Sequence, residues 1–158
     1  MNNKINIWIG SDHGGFELKC GLMEYLSSDE RYNVFDVGSH SRESVDYPEY
    51  ALLVADGVLK DIESGVESFG ILICGTGVGM SIVANKQCGI RAVLAHNEYV
   101  SEMGRKHNNA NVLCIGARVI GASLGLEIVK SFLGVEFEGG RHERRVRKIF
   151  NSCVKCIT

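Results

Sequence analysis

The chain has 158 residues, and its 17 basic against 19 acidic side chains leave a net charge of −2. With 45% hydrophobic residues, 23% charged and a single proline, it carries enough apolar surface to offset the entropy of ordering one domain, which excludes disordered, collagenous and fibrous classes. So even a balance attracts no polyanion to the molecule as a whole, and any contact with nucleic acid or membrane needs a local basic patch.

The apolar run at 5–10 is too short for the core of an export signal and reads as a buried strand. Asp12, His13, Gly14 and Gly15 follow it, after which Leu18, Leu22, Tyr25 and Leu26 recur at helical spacing. A second strand is expected at 33–37, and a second helix where Ala51, Val54, Ala55, Val58 and Leu59 repeat. The run 69–74 predicts a third strand, leading through a glycine-rich turn into a helix over 79–87. The uncharged stretch around that turn is broken by glycines and polar residues, so it is no membrane span. Strands at 90–95 and 111–116 enclose a helix at 98–106, and helices at 122–132 and 141–152 complete the chain.

Alternating strands and helices imply an α/β class. The expected architecture is a single-domain, Rossmann-like three-layer sandwich: a mostly parallel sheet of about five strands, with helices on both faces. Residues 1–158 read as one domain with a peripheral tail from about 150, since no linker or repeat divides them. Six cysteines in a chain with no export signal suggest reduced thiols and a cytoplasmic setting. Cys114, Cys20 and Cys88 read as small buried hydrophobes. Cys153 and Cys156 form a lone pair in the tail, without the second pair that a zinc site needs.

Ligands of such sheets bind beyond the carboxyl ends of the strands, so the residues just after each strand carry the functional interest. Asp12 after the first can cap a helix, or act with His13 to move protons or hold an anion. After the third come Gly75, Thr76, Gly77, Val78 and Gly79, whose alternate glycines let backbone N–H groups converge on an anion at a helix start. Neither the dinucleotide fingerprint nor the Walker pattern fits this loop. Cys74 sits at the strand's end, beside a helix N-terminus that favours a thiolate able to serve as nucleophile or base. His107, outside the helix at 98–106 and beside Asn108, is structural or functional. Arg141 and Arg145 lie four apart on one helical face, where two guanidinium groups can converge on one phosphate. No aromatic residue interrupts 141–148, so a base-stacking platform has no support there.

Taken together, Gly10-Ser11-Asp12-His13-Gly14-Gly15, Asp46-Tyr47-Pro48, the segment from Gly70 to Gly79, Gly89-Ile90-Arg91-Ala92, His107-Asn108-Asn109-Ala110-Asn111 and Gly139-Gly140-Arg141-His142 resemble the type B ribose-5-phosphate isomerases. That family also includes the subunits of galactose-6-phosphate isomerase, and the resemblance covers nearly the whole chain. It implies interconversion of D-ribose 5-phosphate and D-ribulose 5-phosphate, a pentose phosphate pathway step, without metal or organic cofactor. It also implies a homodimer or dimer-based tetramer with sites shared between chains. By the same resemblance Cys74 is the carbon base and His107 the ring-opening proton donor. Asp12, His13, Asn108, Arg118, Arg141 and Arg145 contact the sugar phosphate, and the loop from Gly75 to Gly79 holds the enediolate. Having Cys74, and no carboxylate at Met80 or Ser81, the chain resembles the cysteine branch of the family rather than its glutamate branch.

Three other readings stand beside this one: isomerisation of a six-carbon sugar phosphate, a non-catalytic nucleotide- or RNA-binding module, and a thiol-redox protein. The missing nucleotide fingerprints count against the second, and the lack of a resolving thiol near Cys74 against the third.

Overall fold

The structure, a computed structural model, describes residues 4–151. Five strands, β1 (Ile5–Ser11), β2 (Tyr32–Asp36), β3 (Ser68–Cys74), β4 (Ala92–Leu94) and β5 (Val112–Gly116), form one parallel sheet in the order β2-β1-β3-β5-β4. Four helices, α1 (Phe16–Ser28), α2 (Tyr47–Glu63), α3 (Val78–Asn85) and α4 (Glu98–Asn108), connect them, and α5 (Ala122–Leu133) and α6 (Arg141–Asn151) follow β5.

Because side chains alternate across a strand, each inner strand feeds two cores. Ile7, Ile9, Ile71, Ile73, Leu113 and Ile115 face Leu22 and Leu26 of α1 and Ile128, Val129 and Phe132 of α5. Leu72, Cys74, Val112 and Cys114 face Ala51, Val54, Ala55 and Val58 of α2 and Met80 and Ala84 of α3. Fully burying one such branched aliphatic contributes roughly 1.5–3 kcal/mol relative to leaving it in water. Gly70 lets α2 sit close on the sheet, because a Cβ there would come 2.7 Å from Val54 Cγ1. The expected three-layer α/β sandwich is therefore found, with α4 packed beside α5 and α6 packed on α4.

Strand burial differs from expectation at the two edges. All of β3 and β5 is buried, whereas β2 exposes Asn33 and Phe35, and no residue of β4 is fully buried. The run 90–95 shortens to three strand residues because Ile90 turns back to the Gln87 carbonyl and the Arg91 N–H donates to the Asn111 side chain at 2.8 Å.

From β1 the chain moves outward to β2, and from β3 it moves the opposite way towards β5 and β4. Strand order thus reverses between β1 and β3, which opens a crevice at their carboxyl ends. Asp12 follows β1 and Cys74 ends β3, so both stand at this crevice, and the Asp12 N–H donates to the Ile73 carbonyl at 3.1 Å.

Candidate active site

Cys74 is 5% exposed and closes β3 on its α2/α3 face. The chain then turns so tightly that the Gly77 N–H donates back to Cys74 Sγ at 3.1 Å. Gly77 adopts a left-handed φ of 77°, and a Cβ there would come 2.6 Å from Leu94 Cδ1 and 2.9 Å from the Ile115 carbonyl carbon, so the position demands glycine. Gly116 has a matching duty, because a Cβ on it would lie 2.6 Å from the Thr76 carbonyl carbon. The loop can therefore drape across the end of β5 as far as the end of β4. There His96 Nε2 lies 3.1 Å from the Thr76 carbonyl oxygen. Val78 N donates to Thr76 Oγ1 at 3.3 Å as α3 begins.

Arg118 packs along Gly75: its N–H donates to the Gly75 carbonyl at 3.0 Å, and its guanidinium lies where a Gly75 Cβ would touch it. The space beside Gly14 is bounded by Asp12 Oδ1, Gly75 N and an Arg118 guanidinium nitrogen, so three sequence-assigned residues meet at one point. Asp12 Oδ1 also accepts from the Gly15 N–H at 3.1 Å, which ties the carboxylate to the start of α1. His13 Nδ1 accepts from the Val45 N–H at 3.3 Å, so a neutral ring carries its proton on Nε2. Tyr47, given no role by sequence reasoning although it lies in one of the quoted motifs, rests its ring on Gly79, where a Cβ would come 2.7 Å from it.

His107 and Asn108 end α4, so His107 is helical, contrary to the expectation of a residue outside a helix. The wrong boundary arose because a run of Asn looks like a loop, whereas here Asn109, at φ 48°, is the left-handed residue that stops the helix. The His107 ring stacks on that of His142 with centroids 4.1 Å apart and planes 3° from parallel. Glu138 Oε2 lies 3.8 Å from His107 Nε2 and 3.6 Å from His142 Nε2. Burial first, and the charges of His107 and Arg141 after it, hold His142 below the usual imidazole range.

These three donor atoms lie within 4.8 Å of one another, close enough to suggest a metal triad. The ring geometry opposes it. Imidazole lone pairs lie in the ring plane, so two parallel stacked rings cannot both aim at one ion, and Arg141 Nε already lies 3.4 Å from His142 Nε2. Arg141 and Arg145 are both exposed on α6, as a spacing of four requires.

This second group does not meet the first within one chain. Residues α4 and β5 are joined at the amino end of β5, where His107 and Asn108 sit, while Cys74 pairs with Gly116 at its carboxyl end, about 13 Å along the strand.

Among the remaining thiols, Cys114 is fully buried, and burial and the neighbouring Cys74 push its thiol well above the usual range. It stays protonated and inert. Cys20 is exposed rather than buried, on the outer side of α1, and Cys88 is exposed too. Cys20, Cys74 and Cys114 are free thiols. Cys153 and Cys156 lie outside the described residues.

Fold and site together define a doubly wound α/β protein whose switch point holds a thiol and a glycine cradle suited to an anion. The chain belongs to the Ribose/Galactose Isomerase family, whose sequence profile matches residues 7–149. It is 47% identical to ribose-5-phosphate isomerase B of Escherichia coli strain K12 over 143 residues, 90% of this chain and 93% of that protein. Among solved structures, ribose-5-phosphate isomerase B of Clostridium thermocellum aligns with a TM-score of 0.86 at 49% identity, covering 92% of this chain and 95% of that one. That of Mycoplasma genitalium, solved with bound ribulose-5-phosphate, aligns with a TM-score of 0.88 at 44% identity, covering 94% and 96%. Among the described residues no helix is long and apolar enough to cross a membrane.

Proposed function

We propose that this protein is a cytoplasmic aldose–ketose isomerase that interconverts D-ribose 5-phosphate and D-ribulose 5-phosphate through an enediolate. The observation that carries the reading is Cys74 Sγ accepting from the Gly77 N–H at the carboxyl end of β3, inside the glycine turn that opens α3. In the open-chain aldose, the Cys74 thiolate takes the proton from C2, the electron pair forms the C1–C2 double bond, and O1 becomes the oxyanion. Loop N–H groups stabilise that oxyanion, a contribution that reaches about 3–4 kcal/mol per donor in other enzymes. The thiol then returns its proton to C1 while the hydroxyl proton of O2 passes to O1, which leaves a carbonyl at C2 and a hydroxyl at C1 and gives the ketose with no net oxidation.

Asp12, His13 and Arg118, gathered on the same side of the crevice, hold the sugar. His107, Asn108, Arg141 and Arg145 act from a second copy of the chain: His107 opens the furanose ring and the arginines hold the phosphate. A homodimer with composite sites is the assembly this requires.

Turnover of ribose 5-phosphate, compared with allose 6-phosphate and galactose 6-phosphate, tests the reading. The expected result is a larger kcat/KM for the five-carbon sugar. A preference for either six-carbon sugar would move the substrate to the alternative, and no turnover of any of them would remove the isomerase assignment.

A further inference from the structure

Thr76 and Gly77 share one peptide unit, and the two ends of that unit make the loop's most telling contacts. Its N–H donates to Cys74 Sγ at 3.1 Å, and its carbonyl oxygen meets His96 Nε2 at 3.1 Å. A carbonyl oxygen only accepts, so the shared hydrogen belongs to His96. We propose that His96 is a positioning residue for Cys74: by donating to the Thr76 carbonyl it fixes the peptide whose N–H rests on the sulfur. This rests on the reading of Cys74 as the carbon base.

The peptide needs such an anchor. Gly77 is free of the Cβ that would resist rotation, and a flipped unit would present a carbonyl dipole, in place of an N–H, to the sulfur. The Ser81 N–H, 3.0 Å from the Gly77 carbonyl, secures the next peptide rather than this one. Among the described residues the Thr76 carbonyl has no other hydrogen-bond donor. His96 is itself well held. The Ala95 N–H before it donates to the Cys114 carbonyl at 3.0 Å, and the Asn97 side chain after it caps α4 by accepting from Val100 N at 2.9 Å. Hydrogen bonds in series polarise one another, so a donor on the carbonyl also strengthens the N–H that faces the sulfur. No short motif marks His96 in the sequence, because its role depends on the loop crossing β5 to reach it.

The test is site-resolved alkylation of Cys74 by iodoacetamide from about pH 5 to about pH 9, read by mass spectrometry of its peptide in the full chain. Wild type, His96→Phe and His96→Gln are compared, together with their kcat and KM on ribose 5-phosphate. His96→Phe is expected to slow alkylation near pH 7 by about three- to tenfold and to move the profile to higher pH. Its kcat should fall by a similar factor with KM little changed, and His96→Gln, whose amide keeps a donor, should recover most of both. If the Phe variant does not fold, His96→Asn, with an amide too short to reach Thr76, takes its place. An unchanged alkylation profile, or a Gln variant no better than the Phe one, overturns the proposal. A shifted alkylation profile with unchanged kcat upholds the positioning role and removes Cys74 as the base.

Discussion

Cys74 and His107 stand at opposite ends of one parallel sheet: Cys74 closes β3 at its carboxyl end, and His107 lies in the last turn of α4, just before β5 begins. Within one chain the length of β5 lies between the thiol and the imidazole. If both act on the same substrate, two copies must pack with the α4/α6 end of one against the crevice of the other.

Mixing two inactive variants checks this. Cys74→Ser and His107→Asn homodimers each carry one lesion in every composite site. After reassortment, half of an equal mixture is heterodimer, in which one of the two sites carries both lesions and the other none. Recovery of up to about a quarter of wild-type turnover is expected. Continued inactivity after proven subunit exchange would put both groups in a single-chain site or take His107 out of the reaction.

Two glycines separate site geometry from general stability. Gly77→Ala places a Cβ against Leu94 and the Ile115 backbone at a left-handed φ, so about 1–3 kcal/mol of stability and most of the turnover should be lost. Gly21, inside α1, has open space around its would-be Cβ, so Gly21→Ala should stabilise by about 0.5–1 kcal/mol and leave turnover unchanged. Denaturant unfolding with parallel rate measurements checks both.

His142 predicts an acid-side weakness. Its folded-state proton affinity is lowered, so the unfolded chain binds the proton more readily, and stability falls as pH drops below the unfolded value of 6.5. Above that value the contribution is fully present. The melting temperature should decline as pH falls below about 6.5, and His142→Gln, which does not titrate, should flatten that decline.

The candidate site residues were legible because their signals are local. A glycine at every other position, an Asp-His pair after a strand and arginines four apart each state their chemistry within a few residues. The inner strands were equally plain, since β1, β3 and β5 are near-continuous apolar runs. The edges were not: β4 shrinks to three residues because turns and side-chain hydrogen bonds compete for its ends. Tyr47 and His96 gave no chemical signal, as both act on the glycine loop from segments distant in sequence. The stacking of His107 on His142 depends on α6 folding back over α4, and periodicity within either helix says nothing of that.

Solvent hydrogen exchange at the sugar carbons tests the enediolate and its base together. In heavy water, wild type should place deuterium at C2 of the recovered ribose 5-phosphate, as followed by NMR. Cys74→Ser should bind the sugar phosphate with an affinity near that of wild type and incorporate none. Incorporation by Cys74→Ser at the wild-type rate would contradict the assignment of the thiolate as the group that takes the proton.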